Sequence, residues 1–389
     1  MSNMFVEPWT EARVQDIASD APRSITIGPF GSRLKAELYV ADGFPVIRGQ
    51  DIGPGKGLLE DNLVYVPEAV AESLSGCIVS EGDLIFPHRG AIGQVGIVGQ
   101  RQFLLSSSMM KLTCNRTVID PGFLFYYFRG PGRDELLTRA STVGTPGIGQ
   151  PLKSLRGIPI RYPGLPKQQA IAEVLGALDD KIAANTKVAQ VARDLAGAEY
   201  QNMLSRVEET TILQKVLTLE YGKPLLAATR VPGQVQVFGS GGIVGFHNQT
   251  FTAGPGVVVG RKGTAGAVHW ADSDYYPIDT TFYVKSINPD VFSLVYCFYL
   301  LRSLKLTELN SDSAVPGLNR NDAYALKIRL PSDALIQEFT RISIPLINLA
   351  GQAERESATL AATRDALLPQ LMSGKLRVRD AETAVEAVV

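Results

Sequence analysis

The sequence predicts an α+β protein. Two globular domains of mixed strands and short helices are separated by two long helices that pair as an antiparallel coiled coil, the whole forming a pseudo-twofold internal repeat. Three observations predict this. Features recur in the same order at an offset of about 170 residues. Segments rich in Gly, Pro and β-formers alternate with helical ones. The helical segments carry apolar residues at alternating intervals of three and four, the seam period of a coiled coil.

The elements follow in chain order. Residues 1–165 form the first domain, with short apolar runs at Pro45–Ile47, Cys77–Val79, Asp83–Phe86 and Gln94–Val98 reading as strands between turn signals. The run Phe125-Tyr126-Tyr127-Phe128 reads as a short buried helix, which makes the domain α+β rather than all-β. Residues 166–208 form the first spacer helix. Its stripe is Ile171, Leu175, Leu178, Ile182, Asn185, Ala189, Ala192 and Ala196. Asn185 suits a register-setting role, because a polar seam residue fixes pairing at a cost in stability. About 40 residues at 1.5 Å each give a rod of roughly 60 Å.

The pattern then repeats. Residues 209–330 form the second domain, with strands predicted at Gly256–Val259 and Thr281–Val284 and a short helix at Tyr296-Cys297-Phe298-Tyr299. Residues 331–376 form the second spacer helix, with Phe339, Ile342, Leu346, Leu349, Ala353, Leu360 and Leu367 on its seam. Pro345 is expected to kink this helix or mark its start, since proline lacks the backbone donor and clashes with the preceding turn. Pro369 is expected to end or bend it, and residues 377–389 are predicted to be a flexible tail. Matched points include Arg89-Gly90-Ala91-Ile92-Gly93 with Lys262-Gly263-Thr264-Ala265-Gly266, Ser107-Ser108 with Thr280-Thr281, and Arg193-Asp194 with Arg364-Asp365.

Composition excludes several classes. The 389 residues are 45% apolar, ample for packed cores, and no apolar run approaches the roughly 20 residues of a membrane span. The opening residues lack a basic leader and an apolar h-region, so a soluble cytoplasmic protein is expected. Cys77, Cys114 and Cys297 are too few and too scattered for a disulfide framework or metal clamp, and His88, His247 and His269 lack paired acids or cysteines nearby. No phosphate-binding GxxxxGK[ST], HExxH, EF-hand or GxSxG pattern is present, so the chain is expected to be non-catalytic, without metal or cofactor of its own.

The formal net charge of −1 hides an uneven distribution. Residues 1–88 carry 6 Lys/Arg against 13 Asp/Glu, whereas residues 89–161 carry 10 against 3. Residues 221–271 hold Lys223, Arg230, Arg261 and Lys262 and no acid. Two basic zones suggest two places for a polyanion. Cations beside glycines at Arg89-Gly90 and Arg261-Lys262-Gly263 let backbone N–H groups approach a phosphate. Thr145, Asn319 and Arg320 form polar tips of Gly-rich loops that suit base contacts. Arg33, Lys35, Arg48, His88, Lys111, Lys153 and Lys223 complete the set of candidate contacts to such a polyanion. For any one of these cations taken alone, a solvated surface charge is the simpler reading.

Over nearly its whole length, to about residue 380, the chain resembles the specificity subunits of type I restriction–modification enzymes. The carriers are GPFGSRLK (Gly28–Lys35), FPVIRGQDI (Phe44–Ile52), EGDLIFPHRGAIGQVG (Glu81–Gly96) and SSSMMKL (Ser106–Leu112), with the Pro163–Gln169 helix start and the Leu367–Leu376 ending. The second domain is shorter and lacks a clear copy of PVIRGQDI. The resemblance implies two target recognition domains that read an asymmetric bipartite site in double-stranded DNA, with the helical spacer setting the gap. It also implies docking of two adenine methyltransferase subunits and, through them, motor–nuclease subunits. S-adenosylmethionine, ATP and Mg would then belong to those partners alone. Two other readings stand beside it: a coiled-coil adaptor with protein-binding heads, and an enzyme with a duplicated domain.

Overall fold

In the computed structural model, residues 9–30, 33–141, 144, 146–310 and 317–386 are described. They divide into a first unit, 1–184 with 356–389, and a second unit, 185–355. The first unit is therefore assembled from both ends of the chain, and each unit takes part of both long helices.

Strand order in the first unit follows from its apolar runs. Ile25–Ile27, Met109–Leu112, Leu84–Pro87 and Gly96–Ile97 form an antiparallel sheet in that order. A second sheet runs Val64–Val66, Phe44–Ile47, Phe103–Leu105, Ile78–Val79, with the central pair parallel. Strand Leu84–Pro87 is buried at every position, and so reads as a continuous apolar run without alternation. The helix Pro121–Tyr127 starts with the Asp120 carboxylate accepting from the Phe123 amide, and its whole aromatic run is buried. A two-stranded ribbon of Thr10–Arg13 and Pro159–Tyr162 leads into the first long helix, Leu165–Leu204.

The second unit repeats this plan. Leu217–Tyr221, Thr281–Ser286, Gly256–Gly260 and Val268–Ala271 form the antiparallel sheet in the same order. Gly242–His247, Val235–Gly239 and Tyr275–Pro277 form the other, again with one parallel pair. Strand Val235–Gly239 thus fills the topological place of Phe44–Ile47, although its sequence shows no copy of PVIRGQDI. Pairing needs only a pleat and an apolar face there, not the same residues. A ribbon of Thr210–Ile212 and Lys327–Arg329 again precedes the long helix, Asp333–Met372.

The two long helices pack against each other within each unit. In the first, Ile171, Leu175 and Leu178 share a core with Leu360, Leu367 and Leu371, and also with Phe123, Tyr126 and Phe128 of the head. In the second, Ala189 and Ala192 meet Ala350 and Ala353, a small-residue layer that lets the backbones approach closely. Nearer the helix ends, Ala196, Tyr200, Ile336 and Phe339 merge into the head core. The seam is therefore partly coiled coil and partly head packing.

Several expectations are corrected. Leu349 is not a seam residue; it is 46% exposed, and Ile342 and Leu346 are only half-buried. The buried positions are Ile336, Phe339, Ser343, Ile347, Ala350 and Ala353, so larger side chains drew the reading off the true phase. Pro345 does not mark the helix start. It lies inside the helix and is exposed, as is Arg341, whose carbonyl loses its helical partner to the proline. Pro369 does not end the helix, which stops at Ser373-Gly374. Gly374 has φ +71° and an added Cβ would meet the Trp9 indole at 2.9 Å, so a larger residue fits neither backbone nor space. The expected flexible tail contains a helix, Val378–Glu386, whose Ala381 is fully buried in the first unit's core. Among the described residues, no helix is long and apolar enough to cross a membrane.

Candidate nucleic-acid interface

A glycine turn stitched to a second loop forms the same frame in both units. In the first unit the His88 amide donates to the Ser108 carbonyl at 2.8 Å and the Ile148 amide to the His88 carbonyl at 2.9 Å. In the second the Arg261 amide donates to the Thr280 carbonyl and the Leu318 amide to the Arg261 carbonyl, both at 2.8 Å. Arg89 bridges to Gly147 and Lys262 to Gly317. The turn glycines match as well, with Gly90 and Gly263 at φ +78° and +81° and Gly93 and Gly266 at +87° and +84°. Nothing lies within 4 Å of a Cβ added at Gly90 or Gly263, so both turns face open space. This frame places Arg89 and Lys262, both exposed, beside accessible turn backbone.

The side chains on the frame differ between units. In the second, Tyr221 ends strand Leu217–Tyr221, opposite Phe282 in the ladder and with ring centroids 5.0 Å apart. The Arg261 and Arg320 guanidiniums lie 5.1 and 5.0 Å from the Tyr221 ring centroid, within cation–π range. These residues, with Lys262 and Asn319, line a shallow cleft of about 340 Å³. Among the described residues no carboxylate pairs with Arg261, Lys262 or Arg320. A cleft with unpaired cations on an exposed aromatic suits a phosphate or a base edge. Asn319 is partly committed, since its Oδ1 accepts from the Asn321 amide at 2.9 Å as a helix cap.

Several candidates of the first unit are withdrawn. Arg48 holds Asp51 by two hydrogen bonds of 3.1 Å and donates to the Asn62 carbonyl, so its fork is already filled. Lys111 donates to the Ile78 carbonyl at 3.0 Å and faces the buried Asp83 carboxylate at 3.7 Å. His88 is 4% exposed, with Nε2 3.0 Å from the Ser107 carbonyl. Burial lowers its pKa below the ordinary histidine value, which favours a neutral ring, against the opposing pull of the Ser107 carbonyl. Arg33, Lys35, Arg89, Lys153 and Lys223 are exposed. Thr145 lies outside the described residues. Of the first basic zone, Arg101 is bound to Glu60, Arg129 to Asp179, Arg139 to Glu135 and Arg116 to the Glu81 carbonyl, which leaves a smaller patch than the count suggested.

Tyr221 escaped the sequence reading because an isolated aromatic at a strand end looks like core. Its neighbours carried a signal. Gly222 must be glycine, since a Cβ there would lie 2.2 Å from the Ile278 carbonyl oxygen, and the strand exits at once into Lys223-Pro224.

Comparison with known proteins gives one family similarity and a shared fold. Residues 31–192 match the family described as the type I restriction modification DNA specificity domain. That segment is similar to the family's domain. Among solved structures, the chain resembles the S subunit of a type I restriction-modification system from M. genitalium, with a TM-score of 0.65 at 17% identity, over 95% of this chain and 98% of that one. The shared fold thus extends well past the matched segment. The HsdS subunit from Thermoanaerobacter tengcongensis aligns at 15% identity and a TM-score of 0.34, over 97% of this chain and 98% of that one. No curated protein matches the sequence.

Proposed function

We propose that this chain is the sequence-reading subunit of a type I restriction–modification system, that its two units read the two halves of a bipartite DNA site, and that its long helices dock methyltransferase subunits. The observation that carries the reading is the duplicated glycine-turn frame. One backbone scaffold presents different side chains in its two copies, which is what reading two unlike half-sites requires. Phosphate contacts at the exposed Arg89 and Lys262 turns would set position, and side chains in the adjoining loops would supply base identity. Motor–nuclease subunits would join through the methyltransferases, and S-adenosylmethionine, ATP and Mg would be held by those partners. A cytoplasmic location accords with such a task.

Support for docking comes from one face of the first long helix. Val188, Val191 and Leu195 are 40%, 50% and 47% exposed, at the spacing that places them on one side of a helix. Apolar side chains left in water at that spacing suit a partner subunit. The decisive experiment is methylation-site sequencing of a host expressing the chain with its methyltransferase. A modified motif split by unread base pairs is expected. A continuous motif, or no motif, refutes the reading.

A further inference from the structure

We propose that Arg261 and Arg320, whose guanidiniums lie over the Tyr221 ring, form the guanine-reading element of the second unit. This rests on the DNA-reading function proposed above and names the base that one half-site must contain. The Nε atoms of both arginines are buried and, among the described residues, have no hydrogen-bond partner. Only the two terminal Nη groups of each can therefore meet a ligand. That end of a guanidinium is a planar pair of donors, matching the O6 and N7 acceptors on the major-groove edge of guanine. Contact with the Tyr221 ring at 5.1 and 5.0 Å restricts where both guanidiniums sit, and a fixed place matters for a two-point contact with a base edge far more than for a phosphate.

The surroundings divide the labour. Arg261 is pinned through its own backbone by Thr280 and Leu318, and Arg320 sits in the first turn of the helix Arg320–Tyr324 with a second ring, Tyr324, at 5.9 Å. Tyr324 is itself held, its hydroxyl accepting from the Leu219 amide at 2.8 Å. Lys262, next in sequence, is exposed on the open Gly263 turn and supplies the mobile point charge suited to a phosphate. The corresponding places in the first unit carry none of this chemistry. His88 stands where Arg261 does, since their amides bond Ser108 and Thr280 alike. Gln150 follows Ile148 as Arg320 follows Leu318, and Ile27 precedes Gly28 as Tyr221 precedes Gly222. This guanine-reading element therefore belongs to the second unit alone.

The test uses the full chain purified with its methyltransferase subunits, selecting from a duplex DNA library randomised across the site, with bound molecules sequenced. Arg261→Lys and Arg320→Lys keep the charge and remove the fork, while Tyr221→Ala removes the platform at a half-exposed position. Each Arg→Lys change is expected to lower the preference for guanine at one base pair by about tenfold or more, leaving the other half-site and the salt slope unchanged. Tyr221→Ala is expected to weaken the same preference, and Lys262→Ala to weaken binding to all sequences alike and reduce the salt slope by about one. Retention of the guanine preference in both Arg→Lys variants overturns the proposal, as does a wild-type half-site without guanine. A uniform loss of affinity in those variants reassigns them as phosphate clamps and overturns it too. A wild-type complex that selects no sequence sinks the DNA-reading function itself, an outcome distinct from all of these. Unfolding midpoints of each variant separate misfolding from lost recognition.

Discussion

At the scale of single residues, the most constrained group is Asp179. It is 4% exposed, and its carboxylate accepts from the Tyr126 hydroxyl at 2.8 Å, Arg129 at 3.1 Å and Arg364 at 2.5 Å. A buried carboxylate survives only when its charge and lone pairs are matched, and here two cations and a hydroxyl match them. Burial, together with the neighbouring Asp179 charge, pushes the Tyr126 hydroxyl far above its ordinary pKa, so it remains a donor throughout the usable pH range. Replacing Asp179 with Ala leaves Arg129 without a counter-charge, facing Arg364, which keeps only the exposed Asp365. A loss of about 3–5 kcal/mol is expected, read as a lower denaturant midpoint. Arg193 and Glu354 offer the contrast. They are repeat-related in part, since Arg193 aligns with Arg364, but Glu354 is half-exposed. Glu354→Ala should cost no more than about 1 kcal/mol. The sequence aligned the two arginines correctly, yet nothing in it distinguished the pair that burial makes indispensable from the one that water weakens. The same blindness explains Arg48 and Lys111, whose acids at Asp51 and Asp83 are matched to them by the fold rather than by composition.

At the scale of elements, the helical stripe was legible where spacing alone decided it. Ile171, Leu175, Leu178, Asn185, Ala189 and Ala192 are buried as the three–four rhythm requires, with Ile182 half-buried. It was misread where small residues carry the contact, because Ala350 and Ser343 give a weaker hydrophobic signal than Leu349 or Ile342. The strands read at Asp83–Phe86 and Gly256–Val259 were visible between turn signals and fall within a residue of the observed Leu84–Pro87 and Gly256–Gly260. The exposed face of Val188, Val191 and Leu195 gives a prediction of its own. Val191→Glu with Leu195→Glu changes residues that contribute little to the core, so the unfolding midpoint should hold within about 0.5 kcal/mol. Retention of the methyltransferase on the purified complex should fall by at least tenfold, read by co-purification at matched concentration. Full retention would assign partner docking to another surface.

At the scale of the whole molecule, a net charge of −1 makes a strong non-specific hold on DNA improbable for the chain by itself. Arg101, Lys111, Arg129 and Arg139 of the first basic zone are ion-paired, whereas among the described residues the cations of the second unit's cleft are not. Gel-shift measurements with and without methyltransferase are therefore expected to show weak binding alone and much tighter binding in complex. The salt slope of the chain alone should correspond to a few phosphates, at about −0.9 per phosphate neutralised. Equal affinity in both states would place the cationic surface on this chain after all. The repeat was readable from order and offset. The division of the chain into units was not, because residues 356–386 belong to the core of the first unit by contact rather than by sequence neighbourhood.

That division bears on how the protein comes to be made. The second unit is one uninterrupted stretch, 185–355, whereas the first waits for residues from 356 onward. During synthesis, Ile171, Leu175 and Leu178 leave the ribosome long before Leu360, Leu367 and Leu371, which cover them in the finished core. The nascent chain must therefore carry an unfinished apolar surface while the intervening unit folds. A nascent polypeptide halted near residue 355 would thus keep one unit intact and leave the other dependent on chaperones.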